Sequence, residues 1–364
     1  MAGSMAERIV VAMSGGVDSS VAAARLHAEG QDVSGVTLQL WGKDVCTTAG
    51  TRLCCSVRDA VDAKSVCRRL GIPHTTLDLA DTFRQRVIGY FVDSYHEGLT
   101  PNPCIACNDH IKFGDLLTHA RQRGAATVAT GHYARVESDP ATGRRVLRRG
   151  ISREKDQSYV LFNLTQEQLA GVRFPVGGLS KAEVREAARE LGLVTADKPD
   201  SQDVCFVRDG NKNGFLRREL GGDEPAGPIV DTEGRQLGQH QGLLGYTIGQ
   251  REGLGLAVGR PLYIVAIDRP NNRLVVGNRT ALLRSELAAE RVNWVSIAPP
   301  ERPLRADVQI RSRHSAAPAQ VQPLADGRVR VVFDEPQSAV TPGQAAVFYD
   351  DDVVLGGGWI AKDE

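Results

Sequence analysis

Neither sign of charge predominates in this sequence, because lysine plus arginine and aspartate plus glutamate each number 44. Net charge therefore neither indicates nor excludes a nucleic acid partner, although a local basic patch could still bind one. No apolar run approaches the length of a membrane span, and no signal peptide pattern is visible. With 41% hydrophobic and 24% charged residues, the sequence predicts a globular, cytoplasmic protein with no membrane partner.

Cysteine is present in an odd number, seven, which with no secretory signal indicates a reducing compartment and not a disulfide framework. Cys104 and Cys107 form a C-x-x-C pair within Thr100–Asn108, a stretch whose prolines and asparagines predict an exposed irregular loop. A zinc ribbon needs a second pair, and Cys205 is the only later cysteine. A thioredoxin-like pair should open a helix after a strand, and a pair of inert thiols also remains open.

A chain of 364 residues predicts more than one domain. From residue 8 to about 130, apolar strand patterns alternate with helical patterns that end at Gly30, Gly71 and Gly124. This alternation predicts an α/β fold with a doubly wound, mostly parallel sheet. Strands are predicted at Arg8–Met13, Val33–Leu40, His74–Leu79 and Ala126–Thr130, and helices at Val17–Glu29, Val57–Leu70, Thr82–Glu97 and Ile111–Arg123.

The stretch Ala12–Ser20 lies between the first strand and the first helix and is rich in glycine and serine. It lacks the Gly-Lys-Ser/Thr of a Walker loop and the Gly-x-Gly-x-x-Gly of a dinucleotide fingerprint. Gly15 and Gly16 let backbone N–H groups approach an anion, and the helix N-terminus adds unpaired donors. We therefore predict a phosphate loop here, with Leu38 and Gly131 flanking the rest of the ligand at neighbouring strand ends.

A basic hairpin follows the first domain pattern, with arginines from Arg144 to Arg149 and then Arg153 and Lys155. Its side chains could bind phosphates or could form a solvated sheet edge, and the residues alone leave both open. Farther on, Ser180–Glu183 forms a capping box that predicts a helix ending at Gly192. Cys205 lies in a short extended run between Val204 and Phe206.

The C-terminal half of the chain changes to glycine-rich turns and short alternating strands. Asn271-Asn272 and Asp326-Gly327 are hairpin turn patterns between such strands. The spacing predicts a small mixed central domain and then a C-terminal β-barrel. The predicted domains are residues 1–210, 211–278 and 279–364.

Motifs in seven stretches together resemble the bacterial tRNA-specific 2-thiouridylases, members of the ATP pyrophosphatase (PP-loop) superfamily. The resemblance extends over nearly the whole chain. The stretches are Ala12–Ser20, Thr100–Asn108 with Ile111–Phe113, Thr130–Tyr133, Lys155–Tyr159, Asp200–Phe206, His240–Gln250 and Thr341–Gln344.

The resemblance implies a reaction in which ATP with Mg²⁺ adenylates the C2 oxygen of a wobble uridine in tRNA. Sulfur then displaces AMP to give 2-thiouridine. A cysteine desulfurase or a sulfur-relay protein would supply the sulfur as a persulfide. By the same resemblance, Cys107 is the nucleophile and Cys205 carries the persulfide.

The remaining site residues also follow from the resemblance. The target base must be extruded from its loop before it can react. For ATP, the matching positions are Ala12, Met13, Ser14, Gly15, Gly16, Val17, Asp18, Ser19, Leu38 and Gly131. For tRNA, they are Asn102, Pro103, Cys104, His132, Lys155, Asp156, Gln157, Arg311, Ser312 and Gln344.

Cys104 departs from the family pattern, because many members have aspartate at this position. The departure leaves a second interpretation open, in which Cys104, Cys107 and Cys205 ligate a [4Fe–4S] cluster that carries the sulfide. Another PP-loop enzyme, such as a lysidine or argininosuccinate synthetase, would keep the loop but lack the Cys107 and Cys205 motifs. A non-catalytic tRNA-binding protein would need no phosphate loop. No role is predicted for Cys46, Cys54, Cys55 or Cys67.

Overall fold

The computed structural model describes residues 6–41, 57–200, 204–207, 210–222 and 224–362. The strands are β1 (Arg8–Ala12), β2 (Asp32–Gln39), β3 (His74–Asp78), β4 (Thr127–Ala129), β5 (Ala134–Ser138), β6 (Arg145–Arg149), β7 (Val172–Arg173), β8 (Gly227–Asp231), β9 (Gln236–His240), β10 (Tyr263–Asp268), β11 (Arg273–Gly277), β12 (Leu283–Asn293), β13 (Leu304–Gln309), β14 (Ala317–Pro323), β15 (Val329–Ser338), β16 (Ala345–Asp350) and β17 (Val353–Ile360). The α-helices are α1 (Val17–Ala28), α2 (Val57–Leu70), α3 (Ala80–Phe83), α4 (Tyr90–His96), α5 (Pro103–Ala106), α6 (Leu116–Gln122), α7 (Gln166–Ala170), α8 (Lys181–Glu190) and α9 (Lys212–Leu220). Arg84–Gly89 and Cys107–Asp115 are π-helical, and Ser158–Leu161 and Arg279–Leu282 form 3₁₀ turns.

The N-terminal sheet is parallel, with strand order β3-β2-β1-β4-β7. Its central strand, β1, buries Ile9, Val10 and Val11, as expected for a strand covered on both faces. The chain moves outward in one direction from β1 to β3 and then crosses to β4 on the other side. Loops at the carboxyl ends of β1 and β4 therefore diverge and leave a crevice for a ligand. The predicted doubly wound sheet is confirmed.

The C-terminal strands form a closed barrel in the order β12-β15-β14-β13-β16-β17, which the pairing of β12 with β17 completes. Closure removes the exposed strand edges that an open sheet would present. A smaller sheet, β10-β11-β8-β9, precedes the barrel and has its own core around Ile264, Leu274 and Val276. The predicted barrel and small central domain are both present.

The basic hairpin β5–β6 is part of the barrel sheet, because β6 pairs with β17 through Arg148 and Val353. Arg135 and Arg148 both form ion pairs with Asp352, at 2.5 and 2.6 Å. The hairpin thus extends the barrel sheet, with β6 against β17 and β5 at the edge, and it is not a purely exposed basic surface. It connects the N-terminal region to the barrel, and Arg148, one of the arginines that could have bound phosphate, takes part in this connection.

Two local predictions are wrong, and one strand was missed. Thr100–Asn108 is not irregular throughout, because a helix begins at Pro103 and continues through α5, the following π-helical residues and α6. Cys205 lies in a turn and not in an extended run, since the N–H of Val207 donates to the carbonyl of Val204 at 3.0 Å. The barrel-closing strand β12 was not predicted. Within the described ranges, no helix is long and apolar enough to cross a membrane.

Candidate active site

The phosphate loop begins where β1 ends, at Ala12, and turns through Gly15 into α1. Gly15 has φ 71°, and a Cβ there would collide with the backbone carbonyl of Asp59, so only glycine fits. The buried Met13 accepts a hydrogen bond from the Thr37 hydroxyl at 3.1 Å, which ties the start of the loop to β2. The neighbouring strand and α2 therefore set the path of the loop.

The first turn of α1 follows the loop directly, and the unpaired N–H groups of a helix N-terminus can bind an anion. Gly16 is its N-cap and supplies no side-chain acceptor. Ser19 and Ser20 instead donate their hydroxyls to the carbonyl of Gly16, at 3.1 and 2.8 Å, and Ser14 N–H donates to Ser19 Oγ at 3.3 Å. This arrangement leaves the helix N-terminus without a competing carboxylate cap and suits a phosphate group.

Gly131 follows β4 and lies against the start of α1, where a Cβ would be 2.6 Å from the backbone nitrogen of Ser19. Leu38 is buried near the carboxyl end of β2. The predicted ATP residues therefore come together at the carboxyl edge of three adjacent strands. Ala12, the last residue of β1, and Val17, the first residue of α1, lie at the two ends of the loop.

Asp18 accepts hydrogen bonds from two side chains outside the loop. Tyr133 Oη donates to it at 2.7 Å, and Lys181 Nζ lies 2.8 and 2.9 Å from its two oxygens. Burial and the Asp18 carboxylate raise the pKa of Tyr133, so its hydroxyl remains a donor. Asp18 is consequently held in place from the opposite side of the crevice.

Lys181 is the first residue of α8, which begins with the predicted capping box between Ser180 and Glu183. A cation in the first helical turn is disfavoured by the helix dipole, so its local ion pairs must offset that cost. Besides Asp18, Lys181 pairs with Asp200 at 2.8 Å. The two carboxylates thus share one ammonium group.

Asp200 begins the segment that contains Cys205 and is surrounded by cations. Lys155 lies 2.9 Å from it and Arg185 3.2 Å, in addition to Lys181. Burial raises the pKa of Asp200, but the hydrogen bonds from Lys181 and Lys155 outweigh burial and hold its pKa below the ordinary value. The carboxylate is therefore ionised and anchors the segment to α8.

Lys198, two residues earlier, anchors the same segment to the other side of the phosphate loop. Its ammonium donates to the Gly15 carbonyl at 2.8 Å and to Asp59 and Asp62 of α2 at 2.5 and 2.6 Å. Burial lowers the pKa of Lys198, but these two carboxylates outweigh burial and raise it. Residues 198–200 are therefore fastened to the loop on both sides.

The C-x-x-C pair opens a helix. Asn102 is the N-cap, accepting a hydrogen bond from the Cys104 N–H at 3.1 Å, and Pro103 is the first helical residue. Cys104 is exposed and Cys107 is half-buried one turn later. Spacing of three places both thiols on one face of the helix.

Cys205 is half-buried, and it packs against the same apolar core as Cys107. Its neighbour Phe206 anchors the turn, with ring centroids 5.0 Å from Phe91 and 6.0 Å from Phe83. Among the described residues, no three His, Cys, Asp or Glu side chains are arranged to hold a metal ion. The thiols Cys104, Cys107 and Cys205 thus do not form a cluster ligand set here.

The predicted tRNA residues Asp156 and Gln157 make intramolecular contacts. Asp156 accepts from Arg149 at 3.0 Å and from the Gly150 and Ser158 N–H groups, and Gln157 accepts from the Tyr133 N–H. These contacts order the turn that presents Lys155 to Asp200.

Two of the three predicted tRNA residues of the barrel, Arg311 and Gln344, lie beside a cavity of about 510 Å³, and Ser312 is not part of its lining. Arg311 and Gln344 line it, while the Ser312 carbonyl accepts a hydrogen bond from Gln309 at 3.0 Å. Gln344 Nε2 donates at 2.7 Å to the carbonyl of Thr100, two residues before the Asn102 cap. The barrel therefore contacts the segment that leads into the C-x-x-C helix.

His132 is buried and lies between the rings of Phe113 and Phe174. Its Nδ1 is 2.7 Å from the Thr130 hydroxyl. Burial, with a smaller effect of the Lys112 charge, holds the pKa of His132 well below its ordinary value. The imidazole is therefore neutral and belongs to the interior of the domain.

Burial raises the pKa of the Cys67 thiol to about 11, which fits an inert core residue. Cys46, Cys54 and Cys55 lie outside the described residues.

The sequence analysis did not identify several charged residues of the site. The only local pattern that could have pointed to one of them is the capping box, which marks Lys181 as the first residue of a helix. The missed residues are Asp59, Asp62, Lys181, Arg185 and Lys198.

A glycine loop at the switch point of a parallel sheet defines a nucleotide-binding domain of the PP-loop type. A family model described as "tRNA methyl transferase HUP domain" matches residues 7–209. Models described as "tRNA methyl transferase PRC-barrel domain" and "Aminomethyltransferase beta-barrel domain" match residues 213–278 and 284–360.

The tRNA-specific 2-thiouridylase MnmA of Nostoc punctiforme is 50% identical over 359 residues, covering 98% of this chain and 99% of the relative. The same enzyme of Clostridioides difficile is 46% identical over 359 residues, with the same two coverages. The chain therefore belongs to the tRNA-specific 2-thiouridylase family, as its motifs indicated.

Two solved structures are also similar. A 4-thiouridine synthetase–RNA complex with bound ATP has a TM-score of 0.32 and 17% identity, covering 59% of this chain and 50% of that one. The NMN synthetase of Francisella tularensis has a TM-score of 0.33 and 19% identity, covering 54% and 67%.

Proposed function

We propose that this chain is a tRNA-uridine 2-sulfurtransferase. It adenylates the C2 oxygen of the wobble uridine with ATP, then replaces that oxygen with sulfur, releasing pyrophosphate and AMP. The observation that carries the proposal is the ionic connection between Asp18 of the phosphate loop and Asp200 of the Cys205 segment through Lys181. It joins the phosphate loop to a residue five positions before Cys205, which supports the proposal that adenylation and sulfur transfer share one site.

The phosphate loop binds the β- and γ-phosphates of ATP through the first-turn N–H groups of α1 and the loop glycines. Magnesium would neutralise charge on the phosphates, and this ion is usually held by one or two carboxylates together with substrate phosphates. Asp18 is the loop carboxylate available for that purpose. Tyr133 and Lys181 keep it oriented toward the crevice.

Adenylation is needed because the C2 oxygen of uridine is amide-like and leaves poorly. Attack of this oxygen on the α-phosphorus breaks the bond to the β-phosphate and releases pyrophosphate. The oxygen then departs as AMP when sulfur attacks C2. The base must be extruded from the anticodon loop to reach the site.

Cys205 carries the transferred sulfur as a persulfide received from a cysteine desulfurase or a sulfur-relay protein. The terminal sulfur attacks C2, the C2–O bond breaks, and tRNA is joined to Cys205 through a disulfide. The Cys107 thiolate then attacks the Cys205 sulfur, which frees 2-thiouridine and leaves a Cys107–Cys205 disulfide. An external thiol reductant supplies the two electrons that reopen it.

The tRNA lies across the C-x-x-C helix and the barrel. Asn102, Pro103 and Cys104 meet the target base, and Arg311, Ser312 and Gln344 contact the tRNA at the barrel. His132 lies behind the base, and Lys155–Gln157 contact the tRNA beside the phosphate loop. In this proposal the chain has three domains, residues 1–210, 211–278 and 279–364, of which the first binds ATP and carries the thiols and the last contacts the tRNA.

A [4Fe–4S] cluster does not fit the described arrangement of Cys104, Cys107 and Cys205. No step of the proposed reaction is therefore assigned to a cluster.

The test is Asp18→Ala, assayed for tRNA-dependent release of AMP and pyrophosphate. We expect both products to be lost while the circular dichroism spectrum stays that of the wild type. Asp32→Ala is the matched control, because Asp32 forms a surface ion pair with Arg8 at the far end of the sheet. Normal pyrophosphate release by Asp18→Ala would refute the proposed role of the loop.

A further inference from the structure

The cavity of about 510 Å³ beside Arg311 lies between the small central sheet and the barrel. The turn at Thr247–Gly249 lines it on the central side, and Arg311 and Gln344 line it on the barrel side. Arg279 lines it from the 3₁₀ turn that connects β11 to β12, and Thr100 belongs to the N-terminal domain. Segments that are far apart in the sequence therefore build one concave surface.

The lining of this cavity is basic. It contains Arg279 and Arg311, whereas none of the described residues that line it is aspartate or glutamate. In the whole chain, by contrast, acidic and basic residues are equal in number. Thr100 and Ser338 add hydroxyl-bearing side chains to the wall. Such a set suits an anion, because a guanidinium group can donate two parallel hydrogen bonds to a phosphate.

The two arginines retain N–H groups that can bind a ligand. Arg279 is exposed, and its guanidinium makes no hydrogen bond or ion pair with any described residue. Arg311 is half-buried and donates from Nη1 to the Ser338 carbonyl at 3.0 Å, but it has no carboxylate partner in the same part of the chain. This bond holds the Arg311 side chain and leaves its other N–H groups for a ligand.

Contacts between neighbouring segments hold the cavity wall in place. The Gly249 N–H donates to the Ile264 carbonyl at 2.8 Å, and a Cβ on Gly249 would lie 2.8 Å from the Cβ of Ala339. The Ala339 N–H donates at 3.1 Å to the carbonyl of Leu282, which lies in the same 3₁₀ turn as Arg279. The turn that carries Arg279 is therefore attached to the barrel, which reduces the entropy lost when a ligand binds.

We propose that this cavity binds one nucleotide of the tRNA, with the phosphate of that nucleotide on Arg279 and Arg311. This inference rests on the proposed function, and it adds Arg279 and the turn at Thr247–Gly249 to the tRNA-binding surface. The position of Thr100 favours RNA over a free nucleotide, because this residue lies two positions before Asn102, where the target base is proposed to bind. A tRNA loop that presents its base there places neighbouring phosphates near the cavity.

The test is the salt dependence of tRNA binding by the full-length enzyme, measured without ATP. Arg279→Met should weaken binding about tenfold, the effect of one hydrogen bond to a charged group. It should also flatten the slope of log affinity against log salt by about one unit, because one phosphate contact is lost. The urea midpoint of this variant should equal that of the wild type, since Arg279 bonds to no described residue.

Arg284→Met is the matched control, because it removes the same charge farther along the chain. Arg284 is exposed and does not line the cavity, and its guanidinium donates to the carbonyls of Ala281 and Leu283 at 3.2 and 3.1 Å. This variant should keep both the tRNA affinity and the salt slope of the wild type.

The double variant tests whether the two arginines bind the same phosphate. If they do, the loss of affinity in Arg279→Met with Arg311→Met should be smaller than the product of the two single losses, because the nucleotide already leaves the cavity when one arginine is removed. Binding of ATP without tRNA should be the same in Arg279→Met and the wild type. Unchanged tRNA affinity in Arg279→Met, an equal change in Arg284→Met, independent losses in the double variant, or weakened ATP binding would overturn the assignment.

Failure of this assignment is distinguishable from failure of the proposed function. Thiolation of tRNA by the wild type, together with normal tRNA affinity in Arg279→Met, would refute only the role of the cavity. Absence of tRNA-dependent AMP formation by the wild type would refute the proposed function itself.

Discussion

Arg149 stacks on Tyr349, with its guanidinium carbon 3.4 Å from the ring centroid. The arginine ends β6 and the tyrosine lies in β16, so this contact joins the N-terminal hairpin to the barrel. The same guanidinium pairs with Asp156 at 3.0 Å, and both side chains are largely buried. Arg149, which lies in the hairpin that could have bound phosphate, thus stabilises the contact between that hairpin and the barrel.

Arg149→Ala should lower the free energy of unfolding by about 3 kcal/mol, because it leaves Asp156 buried without its ionic partner and removes a cation–π contact. Urea unfolding at pH 7 measures this change. The control is Arg153→Ala, since Arg153 and its partner Asp351 are both exposed and such pairs contribute little. Equal stability of the two variants would show that the Arg149 contacts do not hold the hairpin.

The salt dependence of tRNA binding tests the remaining basic side chains. Arg153 and Lys155 are more exposed than Arg149, and replacing both with alanine should flatten the slope of log affinity against log salt by about two units, one per phosphate contact. Binding is measured without ATP at several salt concentrations. Arg8→Ala, at the opposite end of β1, should leave the slope unchanged. If the slope is unchanged in the double variant, Arg153 and Lys155 do not contact the phosphates of tRNA.

Local pattern was sufficient for the phosphate loop and the elements around it. The apolar run of β1, the glycine turn and the largely buried helix α1 are determined by residues within twenty positions of each other, and each was predicted in place. Ser180 and Glu183 likewise define the start of α8 by themselves. Such features depend on short-range hydrogen bonding and burial, which a sequence displays directly.

Two of the three structural misses, at β12 and at Pro103, have different physical causes. In β12, the sequence Leu-Ala-Ala-Glu within residues 283–293 has good helix formers, but pairing with β15 and β17 overrides that propensity. At Pro103, proline was taken to prevent helix, although it is favourable as the first helical residue after an asparagine cap. The first miss needs tertiary contacts to correct, whereas the second needed only the capping rule.

The ionic connections of the site could not be predicted from the sequence. Lys181 is 163 positions from Asp18, and Lys198 is 139 positions from Asp59. Lysines and aspartates are common surface residues, and no spacing marks these ones. Only the fold brings them to one edge of the sheet.

Stability should depend on pH through His132. The pKa of His132 is lowered in the folded state, whereas in the unfolded chain this side chain binds a proton below about pH 6.5. The contribution of the neutral imidazole to folding stability is therefore present above about pH 6.5 and is lost as the pH falls. The loss approaches about 1.4 kcal/mol per pH unit below pH 6.5. Urea midpoints at pH 7.5 and 5.5 should therefore differ less for His132→Gln than for the wild type. His27→Gln, on the exposed surface of α1, is the control, and a wild-type decline in His132→Gln would contradict the prediction.

The route of the sulfur atom depends on which thiols are indispensable. In the persulfide route, Cys205 accepts the sulfur and Cys107 resolves the intermediate, so Cys205→Ser and Cys107→Ser should each abolish thiolation. Cys104→Asp should remain active, because it restores the residue that many relatives carry. The measurement is aerobic thiolation of tRNA by metal-free enzyme supplied with a cysteine desulfurase and cysteine.

The exposed Cys104 is the position that separates the two routes. A cluster needs all three thiolates, so Cys104→Ala would lose iron and activity together, and activity would appear only after anaerobic reconstitution. In the persulfide route, Cys104→Ala keeps substantial turnover without iron, since this thiol forms no bond to the sulfur in transit. We expect robust thiolation by iron-free protein because Cys107 and Cys205 pack against one core, whereas the described residues contain no three-ligand set that would hold a metal. Strict dependence on iron in the wild type would overturn the persulfide route and give Cys104 a ligand's role.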